Sequence, residues 1–192
     1  MKVGLFFGSF NPIHIGHLAL ANYFTEFTDL QQVWFVVTPH NPLKAKATLL
    51  NDYKRLELVQ LAVEEFPKFQ ISKIEFELPQ PNYTVHTLAH LNEKYPGYEF
   101  ALIMGEDNLE NFEKWKNYEV ILERYSIYTY PRPGYTTPEK YTNHPNVHIA
   151  NAPVLEISST FIREAIKNKK DIRFYLPEKV WKQIDDYHLY AK

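Results

Sequence analysis

Phe7-Gly8-Ser9-Phe10-Asn11-Pro12-Ile13-His14-Ile15-Gly16-His17 is the stretch on which the reading of the whole chain turns. It follows an apolar run, residues 3–7, with the length and composition of a buried strand, and it leads into Leu18-Ala19-Leu20-Ala21, which continues as a helix. Two histidines therefore lie where a strand hands over to a helix. Open α/β sheets receive nucleotides at such junctions, because a helix N-terminus offers unpaired N–H groups and the positive end of its dipole to phosphate. His14 and His17 are three apart and share one face of the incoming helix. Gly8 and Gly16 leave room for a phosphate chain against the backbone. An isolated pair of this kind is more often a helix cap and a satisfied core histidine, and it is the surrounding pattern that reverses those odds.

Working outward, strands and helices take turns. Residues 3–7 and 33–37 read as buried strands, with a helix over 15–27 between them. Residues 52–66 form a helix in which Leu56, Val59, Leu61 and Val63 supply much of the apolar surface. Ile74, Phe76 and Leu78 alternate with charged neighbours, so residues 69–78 read as a half-exposed strand ended by Pro79 and Pro81. A helix over 84–95, a buried strand over 100–104, a helix near 118–123, a strand near 126–130, a Pro-Gly loop over 131–138 and a last strand over 147–150 follow. The expected fold is α/β: a Rossmann-like, doubly wound, mostly parallel sheet with helices on both faces. One domain over 1–192 is expected, with closing helices over about 159–190 packed on the sheet.

Bulk properties narrow the classes of function. With 21 basic and 23 acidic residues there is no broad positive field, so a general nucleic-acid partner is disfavoured and phosphate must be held by a local cluster. The absence of cysteine excludes disulfides, thiolate zinc sites and a cysteine nucleophile, and it suits a reducing cytoplasm. No apolar run approaches the roughly 20 residues of a membrane span. Aromatic residues make up 16% of the chain, enough to cover a contact with a second copy, so a homodimer fits.

Gly8, Ser9, Phe10, Asn11, Pro12, His14, Gly16 and His17 together resemble the signature of the HxGH nucleotidylyltransferases, G-[ST]-F-[DN]-P-x-H-x-G-H, with Phe7 standing where a further glycine is common. A second segment, Ile157-Ser158-Ser159-Thr160-Phe161-Ile162-Arg163, is similar to that family's I-S-S-T-x-[IL]-R signature, whose hydroxyls and arginine hold the triphosphate. On its own it is an ordinary capped helix start. The two motifs bracket nearly the whole chain. Lys44, in the loop Thr38-Pro39-His40-Asn41-Pro42-Leu43-Lys44, matches a family lysine on ATP phosphates.

Two more segments narrow the resemblance to the nicotinate-nucleotide adenylyltransferases. Tyr83-Thr84-Val85-His86-Thr87-Leu88 is similar to their Y-T-x-x-T-L turn, whose amides bind the pyridine carboxylate, although His86 replaces a commonly acidic residue. Gly105-Glu106-Asp107, followed by Trp115-Lys116, resembles their G-x-D…W-[KH] segment, with glycine and aspartate on the adenosine side and tryptophan on the pyridine ring. Arg132, in Arg132-Pro133-Gly134, matches an R-P-G loop, although Pro and Gly there equally make a turn.

The resemblance implies transfer of AMP from ATP to nicotinate mononucleotide. The attacking phosphate oxygen is already an anion, so placement and charge neutralisation suffice and no strong general base is required. Catalysis is expected from His14, His17, Lys44 and Arg163. ATP is expected on Gly8, Ser9, Phe10, Gly16, Gly105, Asp107, Ile157, Ser158, Ser159 and Thr160, and the mononucleotide on Asn11, Tyr83, Thr84, Thr87, Trp115 and Arg132. Magnesium is expected to arrive with ATP, keeping most of its waters. Phosphopantetheine and nicotinamide mononucleotide are the competing acceptors. A nucleotide-binding module without chemistry, and a metal hydrolase on His14, His17 and His40, are the competing classes. A serine hydrolase at Ser158 fails because no G-x-S-x-G elbow surrounds it.

Overall fold

The computed structural model of the chain describes residues 1–39 and 49–191. In chain order its elements are β1 (Lys2–Gly8), α1 (Ile15–Phe27), β2 (Gln32–Val37), α2 (Asp52–Val63), β3 (Phe69–Ser72), α3 (Ile74–Glu77), α4 (Thr84–Lys94), β4 (Glu99–Gly105), α5 (Glu106–Glu110), α6 (Tyr118–Arg124), β5 (Ile127–Tyr130), α7 (Glu139–Thr142), β6 (Val147–Ile149), α8 (Ser159–Lys167) and α9 (Glu178–Asp186). The six strands form one sheet in the order β3-β2-β1-β4-β5-β6, with every pairing parallel. That order reverses direction between β1 and β4, so the crevice beyond their carboxyl ends is where such a sheet binds its ligand.

Each central strand is apolar on both faces because helices cover both. Val33, Phe35 and Val37 of β2, with Ala101 and Ile103 of β4, pack under α1, α2, α8 and α9. Trp34, Val36, Phe100, Leu102 and Met104 face the opposite way, toward Leu88 and Leu91 of α4 and Ile121 of α6. Period-two alternation thus survives inside continuous apolar runs, each strand feeding two cores.

Two expectations need correction. Residues 69–78 are not one strand: β3 stops at Ser72 and a single helical turn, α3, replaces the alternation. Glu75, which alternation places outward, is 3% exposed because Thr87 Oγ1 donates to its Oε1 at 3.0 Å. The buried face of α2 is Arg55, Leu58, Val59, Ala62 and Val63, while Leu56 and Leu61 pack only at its margin. An arginine, Arg55, therefore belongs to the apolar stripe.

Candidate active site

The chain leaves β1 at Gly8 and turns through Phe10, whose φ is +42°, in the left-handed region. That conformation costs a non-glycine residue about 1–2 kcal/mol. Burial of the ring offsets it: Phe10 is 2% exposed and lies 5.9 Å from Phe6, 5.5 Å from Phe35 and 5.1 Å from His17, centroid to centroid. The open face of Gly8 is occupied by this ring, which a Cβ would meet at 2.8 Å. The space expected to serve a phosphate is here filled by the chain's own side chain.

His14 ends the turn as the N-cap of α1, and its ring stacks on His17 with centroids 3.7 Å apart. His17 Nδ1 accepts from the His14 backbone N–H at 3.2 Å, so in neutral His17 the proton resides on Nε2 and that atom is a donor. His14 is 4% exposed, and among the described residues its Nδ1 has no hydrogen-bond partner. Burial, and then the positive charge of Arg132, push its pKa down to about 4. His14 is thus a neutral imidazole at pH 7. Gly16 lies beneath it: a Cβ there would approach His14 Nδ1 to 3.0 Å and Ile157 Cβ to 3.6 Å.

The C-terminal motif reaches this turn directly. Arg163 Nη1 donates to Asn11 O at 2.8 Å, and Ser159 Oγ donates to Pro12 O at 2.9 Å. Ser158 is the N-cap of α8, its side chain accepting from Phe161 N at 3.1 Å, and Thr160 Oγ1 accepts from Arg163 Nη2 at 3.3 Å. The expected phosphate ligands that lie among the described residues are gathered around one helix-start pair, that of α1 and α8. Lys44 and His40 lie outside the described residues.

On the far side of the crevice, β4 ends at Gly105, over which Asp107 and Arg132 fold; a Cβ there would collide with Asp107 Oδ1 and meet Arg132 Cγ at 2.8 Å. Arg132 Nε lies 3.5 Å from Asp107 Oδ1. Glu106, which sequence reading passed over, accepts from Arg132 N at 3.3 Å and from Thr137 Oγ1 at 2.9 Å. It fixes the loop that carries Arg132.

Residues expected on the pyridine side also lie near one another. Tyr83 is the N-cap of α4, and Lys116 Nζ stands 4.4 Å from the centre of its ring. Trp115 is half-buried against Phe112, with centroids 5.5 Å apart, in the same apolar cluster as Val85. Thr84 opens the helix as expected, but the cap is Tyr83 backbone rather than a hydroxyl. Thr87 is fully buried with its hydroxyl committed to Glu75. Asn11 is 2% exposed: its Oδ1 accepts from Leu50 N at 3.2 Å and from Tyr190 Oη at 2.9 Å.

Besides Glu106, sequence reading missed Arg55, Glu75 and Tyr190, whose bonds brace the turns of the candidate site. Only Arg55 left a trace, as a cation at the i−3 position of the Leu58, Val59, Ala62, Val63 stripe.

A parallel sheet in this order, with a double-histidine turn clasped by a serine-arginine helix start, defines a nucleotidyltransferase. The cytidylyltransferase-like family model matches residues 5–165. The probable nicotinate-nucleotide adenylyltransferase of Flavobacterium psychrophilum is 63% identical over all of both chains, and that of Bacteroides fragilis is 55% identical over 95% of this chain and 90% of its own. The fold is that of the Plasmodium falciparum nicotinic acid mononucleotide adenylyltransferase complexed with NaAD, with TM-score 0.82 at 19% identity, over 99% of this chain and 97% of the other. The chain belongs to the cytidylyltransferase-like superfamily and, within it, to the nicotinate-nucleotide adenylyltransferases.

Proposed function

We propose that this protein, as one domain in the cytoplasm, transfers AMP from ATP to nicotinate mononucleotide, releasing pyrophosphate and forming the deamido dinucleotide. A phosphate oxygen of the mononucleotide attacks the α-phosphorus. The bond from that phosphorus to the α–β bridging oxygen breaks, and pyrophosphate leaves with the electron pair. The observation that carries the reading is the convergence of Arg163 and Ser159 on the backbone of Asn11 and Pro12, beside the stacked histidines.

His17 Nε2 and neutral His14 donate to phosphate oxygens as charge gathers there. Arg163, with Lys44, holds the departing pyrophosphate, while Ser9, Ser158, Ser159 and Thr160 support it through hydroxyls and amides. Donors preset toward developing charge need no reorganisation in the transition state. Gly105 and Asp107 take the adenosine side. The first amides of α4, which lack intrahelical acceptors, hold the pyridine carboxylate, and Trp115 stacks on the ring. Lys116, over Tyr83, adds positive charge beside those amides and favours the acid over the amide. Magnesium comes as part of the ATP substrate. The donors at the phosphate turn are imidazole, guanidinium and hydroxyl groups, which suit a cation already held by phosphate oxygens and water.

The test is pyrophosphate release with MgATP and, in turn, nicotinate mononucleotide, nicotinamide mononucleotide and phosphopantetheine. Turnover should be fastest with the first. Equal rates with the acid and the amide would remove the acid selectivity, and faster turnover of phosphopantetheine would overturn the assignment.

A further inference from the structure

We propose that Arg55 is a positioning residue for ATP: a buried clasp that sets the β1 turn against the end of β2. The inference rests on the assignment of the β1 turn to ATP. Arg55 is 0% exposed. A guanidinium has five N–H donors, and here each has an acceptor. Nε donates to Leu50 O at 3.1 Å; Nη1 donates to Ser9 O and, at 3.0 Å, to Thr38 O; Nη2 donates to Pro39 O at 2.9 Å and to Asp52 Oδ1 at 2.6 Å.

The choice of acceptors argues for a role beyond neutralising Asp52. Four of the five are backbone carbonyls, which need no counter-charge, and they come from three separate segments at the carboxyl edge of the sheet. Ser9 follows β1, Thr38 and Pro39 follow β2, and Leu50 precedes α2. Leu50 N then donates to Asn11 Oδ1, closing a ring of bonds back onto the β1 turn. Ser9 O immediately precedes Phe10, whose left-handed φ swings the chain toward His14. Holding that carbonyl holds the direction in which the histidines are presented. The plane of the guanidinium fixes all these atoms relative to one another, and an ammonium with three donors and no plane cannot reproduce it. The pyridine-side turn has a buried anchor of its own, Glu75, which accepts from Thr87 Oγ1 at 3.0 Å and meets the clasp through the Thr38 side chain. Arg55 bonds the β1 turn through Ser9 O and reaches the pyridine-side turn at one remove, through Thr38, so its replacement should act mainly on ATP.

The test is calorimetric binding of MgATP, without acceptor, to wild type, Arg55→Lys and Asp52→Asn, together with steady-state kinetics at a temperature well below each melting midpoint. For Arg55→Lys the ATP Kd should rise about ten-fold or more, with kcat down and KM for nicotinate mononucleotide within about two-fold. Asp52→Asn should stay within about two-fold of wild type in all three. A merely destabilising substitution would lower the active fraction and leave both KM values alone. Equal ATP affinity in Arg55→Lys and wild type would overturn the clasp, as would equal losses in Arg55→Lys and Asp52→Asn, which would reduce it to an ion pair. Hydrogen exchange on wild type needs no variant: MgATP should protect amides 50–55 along with 8–17, and protection confined to the latter would also overturn it. Wild type that binds no MgATP would instead defeat the functional assignment itself.

Discussion

The two walls of the crevice are built differently. On the β1 wall Asn11, His14 and Arg55 are buried, and the bonds that fix Asn11 join residues 39, 152 and 179 positions apart in sequence. On the β4–β5 wall Arg132 is exposed, the Asp107 side chain is 30% exposed, and they meet at 3.5 Å. Trp115 is only half-buried. In the proposed function the chemistry common to nucleotidyl transfer falls to the buried, multiply bonded wall, and selection of the acceptor to the more exposed one. Fixed donors suit a charge whose position is set by phosphorus, whereas adjustable ones suit a substrate that must enter and leave.

Breaking the rigid wall should cost the most. His17→Ala would remove the donor that the proposed mechanism aims at the reacting phosphate, and pyrophosphate release should then fall about a hundred-fold or more in kcat with a smaller change in either KM. Wild-type turnover in this variant would take His17 out of the mechanism. His14 offers a stability readout from the same wall. Its native pKa, about 4, lies below the ordinary imidazole value of 6.5. Between those values the unfolded chain binds a proton that the native ring refuses, so stability should fall as pH drops from 6.5 toward 4. A difference of that size is worth about 3 kcal/mol at most. Thermal melts of the unliganded protein should show that slope, and His14→Gln should flatten it.

The adjustable wall should respond more gently and on a different parameter. Trp115→Ala should raise KM for the mononucleotide about ten-fold and leave KM for ATP in place, since loss of stacking on a pyridinium removes about 1–2 kcal/mol. Lys116→Met should narrow the preference for acid over amide by about five-fold, more at low salt than at high, because an exposed charge is screened. A preference unchanged by Lys116→Met would leave the α4 amides as the whole of the discrimination.

The same contrast explains what could be read in the sequence. Strands with two buried faces announce themselves as apolar runs, and β1, β2, β4 and β5 lie where those runs predict. The histidine turn and the helix start at Ser158 are local patterns whose chemistry depends on neighbours in sequence. Glu75 shows the limit: its period-two context says exposed strand, and its burial rests on hydroxyls distant in sequence, those of Thr87, twelve residues on, and Thr38. Arg55 is legible in principle, as a cation on an apolar stripe, but its acceptors are backbone carbonyls that no residue type reveals. Tyr190, 179 residues from Asn11, leaves no signal at all.

Tyr190 gives the smallest predicted effect and the sharpest check on how rigid the first wall is. Its hydroxyl donates to Asn11 Oδ1 at 2.9 Å, while Arg163 holds Asn11 O on the other side at 2.8 Å. Burial pushes the Tyr190 phenol pKa well above its ordinary value, with Arg55 and Arg163 opposing, so the hydroxyl stays protonated and remains a donor at every working pH. Tyr190→Phe keeps the ring and deletes only that donor. Leu50 N still serves Asn11 Oδ1, so the oxygen is not orphaned and the cost should be about 0.5–1.5 kcal/mol in stability. If the wall is over-determined as the bonds suggest, kcat should fall less than about three-fold while the melting midpoint drops by a few degrees. A loss of ten-fold or more in kcat at full stability would mean that Asn11 is held by Tyr190 alone, and that the first wall is no more rigid than the second.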